Sequence, residues 1–286
     1  MNILVTGSKG QLGQEIKKLS PGLGYEFFFT DVEQLDITNA DQVKNYVSRH
    51  EIAVIVNCAA YTAVDKAESE AKKAELINKI GAANLANASR EFGTTLIHTS
   101  TDFVFDGSKK TPYVETDKTN PLSVYGTTKL DGENEVINNA STFVIIRTSW
   151  LYSEYGNNFV KTITRLAKER PELNVVSDQI GTPTYASDLA KAIIQIIPNI
   201  KKGTKEVFHY SNEGKTSWYD FAVKIVELSG LECRVHPIPA SEYPTPAKRP
   251  AYSVMDKTKI KNYFGLNIPA WQDSLANYVN NMKSNL

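Results

Sequence analysis

This 286-residue chain has little that would mark a secreted, membrane-bound or nucleic-acid-binding protein. Its two cysteines, Cys58 and Cys233, lie far apart and form no CxxC pair. That excludes a disulfide framework, fits a reducing cytoplasm, and leaves both thiols as small, buried or incidental side chains. Neither sign of charge is in excess: 32 Lys and Arg balance 32 Asp and Glu, for a formal net charge of +0. A nucleic-acid scaffold or a polybasic membrane binder would carry a surplus. Long apolar runs are missing too. The most apolar late stretch, 192–200, is interrupted by Gln195 and Pro198 and is too short to span a bilayer. Met1 leads at once into a strand-like run at 2–6, so no basic-then-apolar leader is expected. There is no low-complexity segment, no internal repeat, and no His, Asp or Glu cluster with metal-ligand spacing, so no structural metal is expected.

What the chain does have is alternation. Short apolar runs at 3–5, 25–30, 54–57, 95–98 and 143–148 read as strands. Helical stretches separate them: one ending near Leu19, one at 41–50 capped by Thr38, a long polar-and-alanine region at 64–92, and one carrying Tyr125 and Lys129. Strand and helix taking turns is the pattern of a doubly wound parallel sheet in an α/β protein. After Trp150 the alternation loosens. A helix at 159–169 stops at Pro171, a short strand follows at 173–176, and helices are expected at 187–197, from Ser217 to 228, at 257–263 and at 271–282. Five prolines within 237–250 make that stretch largely irregular. The expectation is a first domain over 1–150, joined by a returning strand near 207–210, and a smaller lobe over 151–286.

Three features carry chemistry. Gly7, Gly10 and Gly13 recur at three-residue steps between the first strand and its helix. Such a loop lets backbone approach a pyrophosphate, whose charge the helix N-terminus attracts. Asp31 ends the second strand eighteen residues after Gly13, where a carboxylate accepts both ribose hydroxyls and repels a 2′-phosphate. Asp36 and Ile37 could flank an adenine, and Ala59 and Ala60, small residues after the third strand, leave room along the sheet's carboxyl edge. Third, Tyr125 and Lys129 stand one helical turn apart. A neighbouring ammonium lowers a phenol from its usual ~10, which suits it to acid–base work near neutral pH. A hydroxyl from Ser100 or Thr101, at the end of the fourth strand, could bond a substrate carbonyl beside it.

With these in line, seven runs resemble one family and keep its order: 57–68 (NCAAYTAVDKAE), 100–105 (STDFVF), 121–129 (PLSVYGTTK), 147–150 (RTSW), 156–159 (GNNF), 178–184 (DQIGTPT) and 243–250 (YPTPAKRP). The chain resembles the extended short-chain dehydrogenase/reductase superfamily, and within it the dTDP-4-dehydrorhamnose reductase family. The resemblance implies a Rossmann fold with a C-terminal substrate lobe, NADH or NADPH as cofactor, and a dTDP-sugar whose C4 ketone is reduced. It implies Thr101, Tyr125 and Lys129 as catalytic residues. Gly7, Gly10, Gln11, Leu12, Gly13, Asp31, Asp36, Ile37, Ala59, Ala60, Tyr61, Thr62 and Thr99, with Tyr125 and Lys129, would meet the cofactor. Thr101, Asp102, Trp150, Asn158, Phe159 and Arg249 would meet the sugar nucleotide. A cytoplasmic monomer or homodimer is expected, with neither nucleic acid nor membrane as partner. Some family members hold Mg²⁺ at a dimer contact through a Glu early in the first helix and two later acids. Glu15 is present, but Ser187 and Lys191 stand where the acids would be and Asp188 would face elsewhere, so metal-linked assembly is doubtful. Two other readings share the scaffold. A 4,6-dehydratase carries Thr-Asp-Glu where this chain has Thr101-Asp102-Phe103, and an epimerase or related keto-sugar reductase is the milder variant. A non-catalytic NADP-binding subunit resembling the methionine adenosyltransferase β subunit would bind dinucleotide without turnover.

Overall fold

Ile3, Leu4 and Val5 are each 0% exposed, as a strand covered on both faces must be. In the computed structural model, which describes residues 1–284, six such strands form one parallel sheet. They are β1 (Asn2–Thr6), β2 (Glu26–Phe29), β3 (Val54–Asn57), β4 (Thr95–Thr101), β5 (Phe143–Thr148) and β6 (Lys205–His209). Their spatial order is β6-β5-β4-β3-β1-β2, every pairing parallel. The chain winds one way from β1 to β2 and the other way from β3 onward. The crevice between β1 and β3, at the strands' carboxyl ends, is therefore where such a Rossmann-type sheet binds ligand.

Side-chain alternation builds the two covering layers. Ile3 and Val5 face one way, with Val54, Val56, Val144 and Ile146, against helix α1 (Gln11–Leu19) and a later helix at Ala186–Ile196. Leu4, Ile55, Leu96 and Ile145 face the other way, against α2 (Ala40–Arg49), α3 (Gly81–Phe92) and α4 (Val124–Asn139). The sheet layer thus draws in chain from beyond residue 150, including β6. That later helix is α6 (Ala186–Ile196), and a separate aromatic core gathers Tyr152, Tyr185, Phe221, Trp271 and Tyr278 among α5 (Phe159–Glu169), α7 (Trp218–Ser229) and α8 (Trp271–Ser284).

Two local expectations change. Asn39, not Thr38, caps α2, its side chain accepting from Gln42 N at 3.0 Å. Thr38 instead bonds the Asp36 carboxylate through its backbone N–H and its hydroxyl. The long helical region at 64–92 is broken into Val64–Ala67, Ala71–Glu75, a π-helical turn at Leu76–Ile80, and α3. The wide turn sets Asn78 against the preceding loop, where it accepts from Tyr61 N and donates to Tyr61 O and Thr128 Oγ1. π-turns of this kind recur at functional sites because they redirect a side chain. Among the described residues no helix is long and apolar enough to cross a membrane.

Candidate active site

The glycine loop is shaped by contacts no side chain could share. Gly7 has φ +63°, and a Cβ there would lie 2.6 Å from the Ala59 backbone. A Cβ on Gly13 would lie 2.6 Å from Gly7 O and Ser8 Cα. Gly13 is therefore a packing residue beneath the loop, while Gly7, Gly10, Gln11 and Leu12 line the cleft above it. The N-terminus of α1 has no side-chain cap and no acid in its first turn, so its N–H groups stay available to an anion. Asp31 sits beside this loop, accepting from Lys9 N at 3.0 Å and Val32 N at 2.9 Å. A backbone cradle with a carboxylate at its edge fits a dinucleotide.

The cleft, about 880 Å³, runs from Asp31, Asp36 and Ile37 past Ala59, Ala60 and Thr62 to Thr99, Thr101, Asp102, Tyr125, Lys129 and Trp150. Tyr61 does not line it. Its buried ring sends its hydroxyl to Glu70, and Asn78 pins its backbone. Cys58, in the small-residue run after the third strand, lines the cleft; so do Val32, Lys73 and Trp218, which sequence patterning did not single out.

At the chemical end, Ser123 caps α4 by accepting from Gly126 N, which brings Tyr125 and Lys129 onto the helix face over β4. Lys129 Nζ donates to Thr99 O at 2.7 Å. Of the two candidate hydroxyls, Ser100 is committed to Glu133 on α4. Thr101 remains: its Oγ1 donates to Asp102 Oδ1 and accepts from Phe103 N, both at 3.2 Å.

Electrostatics correct one expectation. Burial pushes the Tyr125 phenol up to about 12; a hydrogen bond with Thr101 draws it down and Asp102 raises it further. Burial sets that value, and it also desolvates the Lys129 ammonium, which falls to about 8 despite the carboxylate of Glu133. Burial likewise raises Asp102 to about 6, against hydrogen bonds from Ser253 and Thr101. His98, one strand position before Thr99, is a packed residue: desolvation holds it well below its usual value, and Asn57 bonds its Nδ1.

One wall of the cleft is aromatic. Trp150 adopts φ +48° and stacks on Trp218 at 3.5 Å between centroids, 9° from parallel. Gly181 lies under the Trp150 ring, where a Cβ would come within 2.5 Å. A non-glycine residue in this conformation is strained, and its packing holds it there. Phe159 does not line the cleft; it sits behind Trp218, 4.5 Å away, in the aromatic core. Asn158 does not line it either. It caps α5 and donates to Gln11 Oε1 at 3.1 Å, tying the glycine loop to the second lobe. Arg249 lines the cleft, but Asp65 holds its guanidinium through bonds of 3.1 and 2.8 Å.

Among the described residues no group of three or more His, Cys, Asp or Glu could hold a metal. Glu15 is fully buried. Burial and then Glu154 raise its carboxyl, while Lys18, Ser187 and Lys191 draw it down. A donor set with two ammonium groups beside it does not fit Mg²⁺. Asp188 turns inward, accepting from Asn212 and Ser274.

Known proteins share this architecture along the whole chain. A dTDP-4-dehydrorhamnose reductase of Aggregatibacter actinomycetemcomitans is 44% identical over 285 residues, covering 96% of this chain and 97% of the relative. A crystal structure of a dTDP-4-dehydrorhamnose reductase from Clostridium acetobutylicum superposes with TM-score 0.95 at 44% identity, covering 99% of this chain and 100% of that one. A dTDP-4-dehydrorhamnose reductase from Bacillus anthracis, in complex with NADP, superposes with TM-score 0.94 at 39% identity, covering 98% and 99%. The family model described as the RmlD substrate binding domain matches residues 1–284, and the chain belongs to that family.

Proposed function

We propose that this protein reduces the C4 ketone of dTDP-4-dehydro-6-deoxy-L-mannose, using NADH or NADPH, to give dTDP-L-rhamnose. The observation that carries the reading is the convergence of Thr101, Tyr125 and Lys129 at one end of a cleft whose other end is a dinucleotide cradle. A binding-only subunit has no need of that trio. The cradle belongs to residues 1–150 with β6, and the sugar nucleotide falls mainly to 151–286.

When bound, the nicotinamide supplies the hydride that adds to C4. The chain's own residues do the rest. Tyr125, with a phenol near 12, is protonated at neutral pH and so stands ready as the proton donor to the carbonyl oxygen. Thr101, whose hydroxyl draws the phenol down and which lines the same cleft, orients that oxygen. Lys129, near 8, is mostly charged at neutral pH and stabilises the phenolate left after transfer. Its bond to Thr99 O fixes its height above the sheet. The Trp150 ring provides an apolar wall for the sugar or base. The relative from Bacillus anthracis is in complex with NADP. Asp31 favours the free ribose hydroxyls of NADH, so use of both with NADH at least as good is expected. Balanced charge and two unpaired cysteines support a cytoplasmic enzyme, monomer or homodimer, that binds neither nucleic acid nor membrane.

The test is purified protein with NADH or NADPH and dTDP-4-keto-6-deoxy-L-mannose, following loss of reduced-nicotinamide absorbance and identifying the sugar. Tyr125→Phe keeps the ring and removes the proton donor, so it should fold normally and lose nearly all turnover. Dinucleotide binding without oxidation by the parent protein would overturn the reading, and near-parental turnover by the variant would remove Tyr125 from the chemistry.

A further inference from the structure

Asp31 would repel a 2′-phosphate, but it is not the only charge beside the ribose end of the cradle. The glycine loop contributes one ammonium, that of Lys9, whose backbone N–H is already bonded to Asp31. A free lysine at this place would be the natural counter-ion for a 2′-phosphate. Here it is not free. The turn after β2, closed by Gln34 N and Leu35 N on Asp31 O, brings Glu33 round to face the loop. Glu33 Oε2 meets Lys9 Nζ at 2.8 Å. Lys9 is thus held at both ends, by Asp31 through its backbone and by Glu33 through its ammonium. Asp31, Glu33 and Lys9 together carry a net charge of −1.

We propose that Glu33 sets the balance between NADH and NADPH by holding Lys9 away from the ribose 2′-position. This deepens the dinucleotide-reductase reading above and rests on it. A 2′-phosphate has to compete with the Glu33 carboxylate for the Lys9 ammonium, while a 2′-hydroxyl needs only Asp31. Both side chains are more than half exposed, so the tether is a screened surface pair and its influence is graded. That grading fits an enzyme that uses both dinucleotides with a lean.

The test measures kcat/KM for NADPH and for NADH in the parent, Glu33→Gln, Lys9→Ala and the double variant, with dissociation constants for both dinucleotides from fluorescence titration. Glu33→Gln should raise the NADPH-to-NADH ratio about two- to fivefold, the range an exposed ion pair can shift. Lys9→Ala should lower it. In the Lys9→Ala background, Glu33→Gln should move the ratio by much less than it does alone, because the tether has nothing left to hold. An unchanged ratio in Glu33→Gln, or an equal change with and without Lys9, overturns the proposal; the second result would make Glu33 a direct repulsive charge. Binding ratios that shift as described in a protein that never turns over would uphold the tether and sink the reductase reading. Absence of dinucleotide binding altogether would sink both.

Discussion

Asp102 is 1% exposed, and desolvation lifts its carboxyl from the ordinary 3.8 to about 6. The folded state therefore binds this proton more tightly than the unfolded chain does. Between the two values, stability falls as pH rises; above about 6 the full penalty of a buried carboxylate is present, on the order of 3 kcal/mol. Asp102→Asn keeps the shape and an acceptor for Thr101 while removing the charge. The variant should melt higher than the parent by roughly 5 °C at neutral pH and by little near pH 4, and its activity should fall. Thermal unfolding at the two pH values checks this, and an equal difference at both would mean that Asp102 is not a buried titrating group. The position lies on the cleft beside Thr101, the kind of place where a stability cost is offset by function in proteins generally.

Helix α4 carries Tyr125 and Lys129 on one face and its own anchor one turn further on. Tyr125, Lys129 and Glu133 follow at four-residue steps, and Glu133 is 0% exposed. Its carboxylate accepts from Arg147 Nε at 2.9 Å and Nη2 at 2.7 Å, and from Ser100, so that α4, β4 and β5 are clamped together. Arg147 also lies 5.2 Å over the Phe105 ring. A buried pair of this kind costs desolvation to form, yet it is expensive to break from one side. Glu133→Leu strands the Arg147 guanidinium and should destabilise the protein by about 3–5 kcal/mol. Glu133→Leu with Arg147→Met should recover a large part of that loss. Denaturant unfolding of both variants decides it, and a double variant no more stable than the single one would show that the clamp's worth lies elsewhere than in mutual charge pairing.

On the scale of the whole molecule, helix α1 meets chain beyond residue 150 through polar contacts. Asn158 reaches Gln11, and Lys18 pairs with Glu154 at 2.9 Å. Glu15, buried in the same seam, has Lys18 and Lys191 as its neighbouring cations. Burial and Glu154 still leave its carboxyl raised, with neither oxygen in a hydrogen bond, and among the described residues no group of three acids gathers there to hold a cation. EDTA should accordingly leave both activity and the elution position on a sizing column unchanged. A chelator-induced shift from dimer to monomer would show that a divalent cation completes the seam after all.

Local rules made the parallel sheet, its alternation of strand and helix, and the glycine loop legible in the linear chain. Apolar runs, capping residues and a strand–glycine–helix junction depend only on neighbours a few positions away, and so does the four-residue spacing of Tyr125 and Lys129. The carboxyl-edge rule added Asp31 and Thr101. Other features depend on pieces of chain far apart, and these only the tertiary structure decided. Thr101 rather than Ser100 faces the phenol because Glu133, thirty-three residues beyond Ser100, claims the other hydroxyl. The Tyr125 phenol is raised rather than lowered because burial dominates it, and the same burial lowers Lys129. Phe159 and Asn158, read as substrate contacts, are placed off the cleft lining, as a brace behind Trp218 and a tie to Gln11. The Lys9–Glu33 tether is an exposed pair with no periodicity to announce it. Sequence spacing places groups along an element; burial and long-range partners, which determine protonation and which side of a group is free, exist only once the elements have packed.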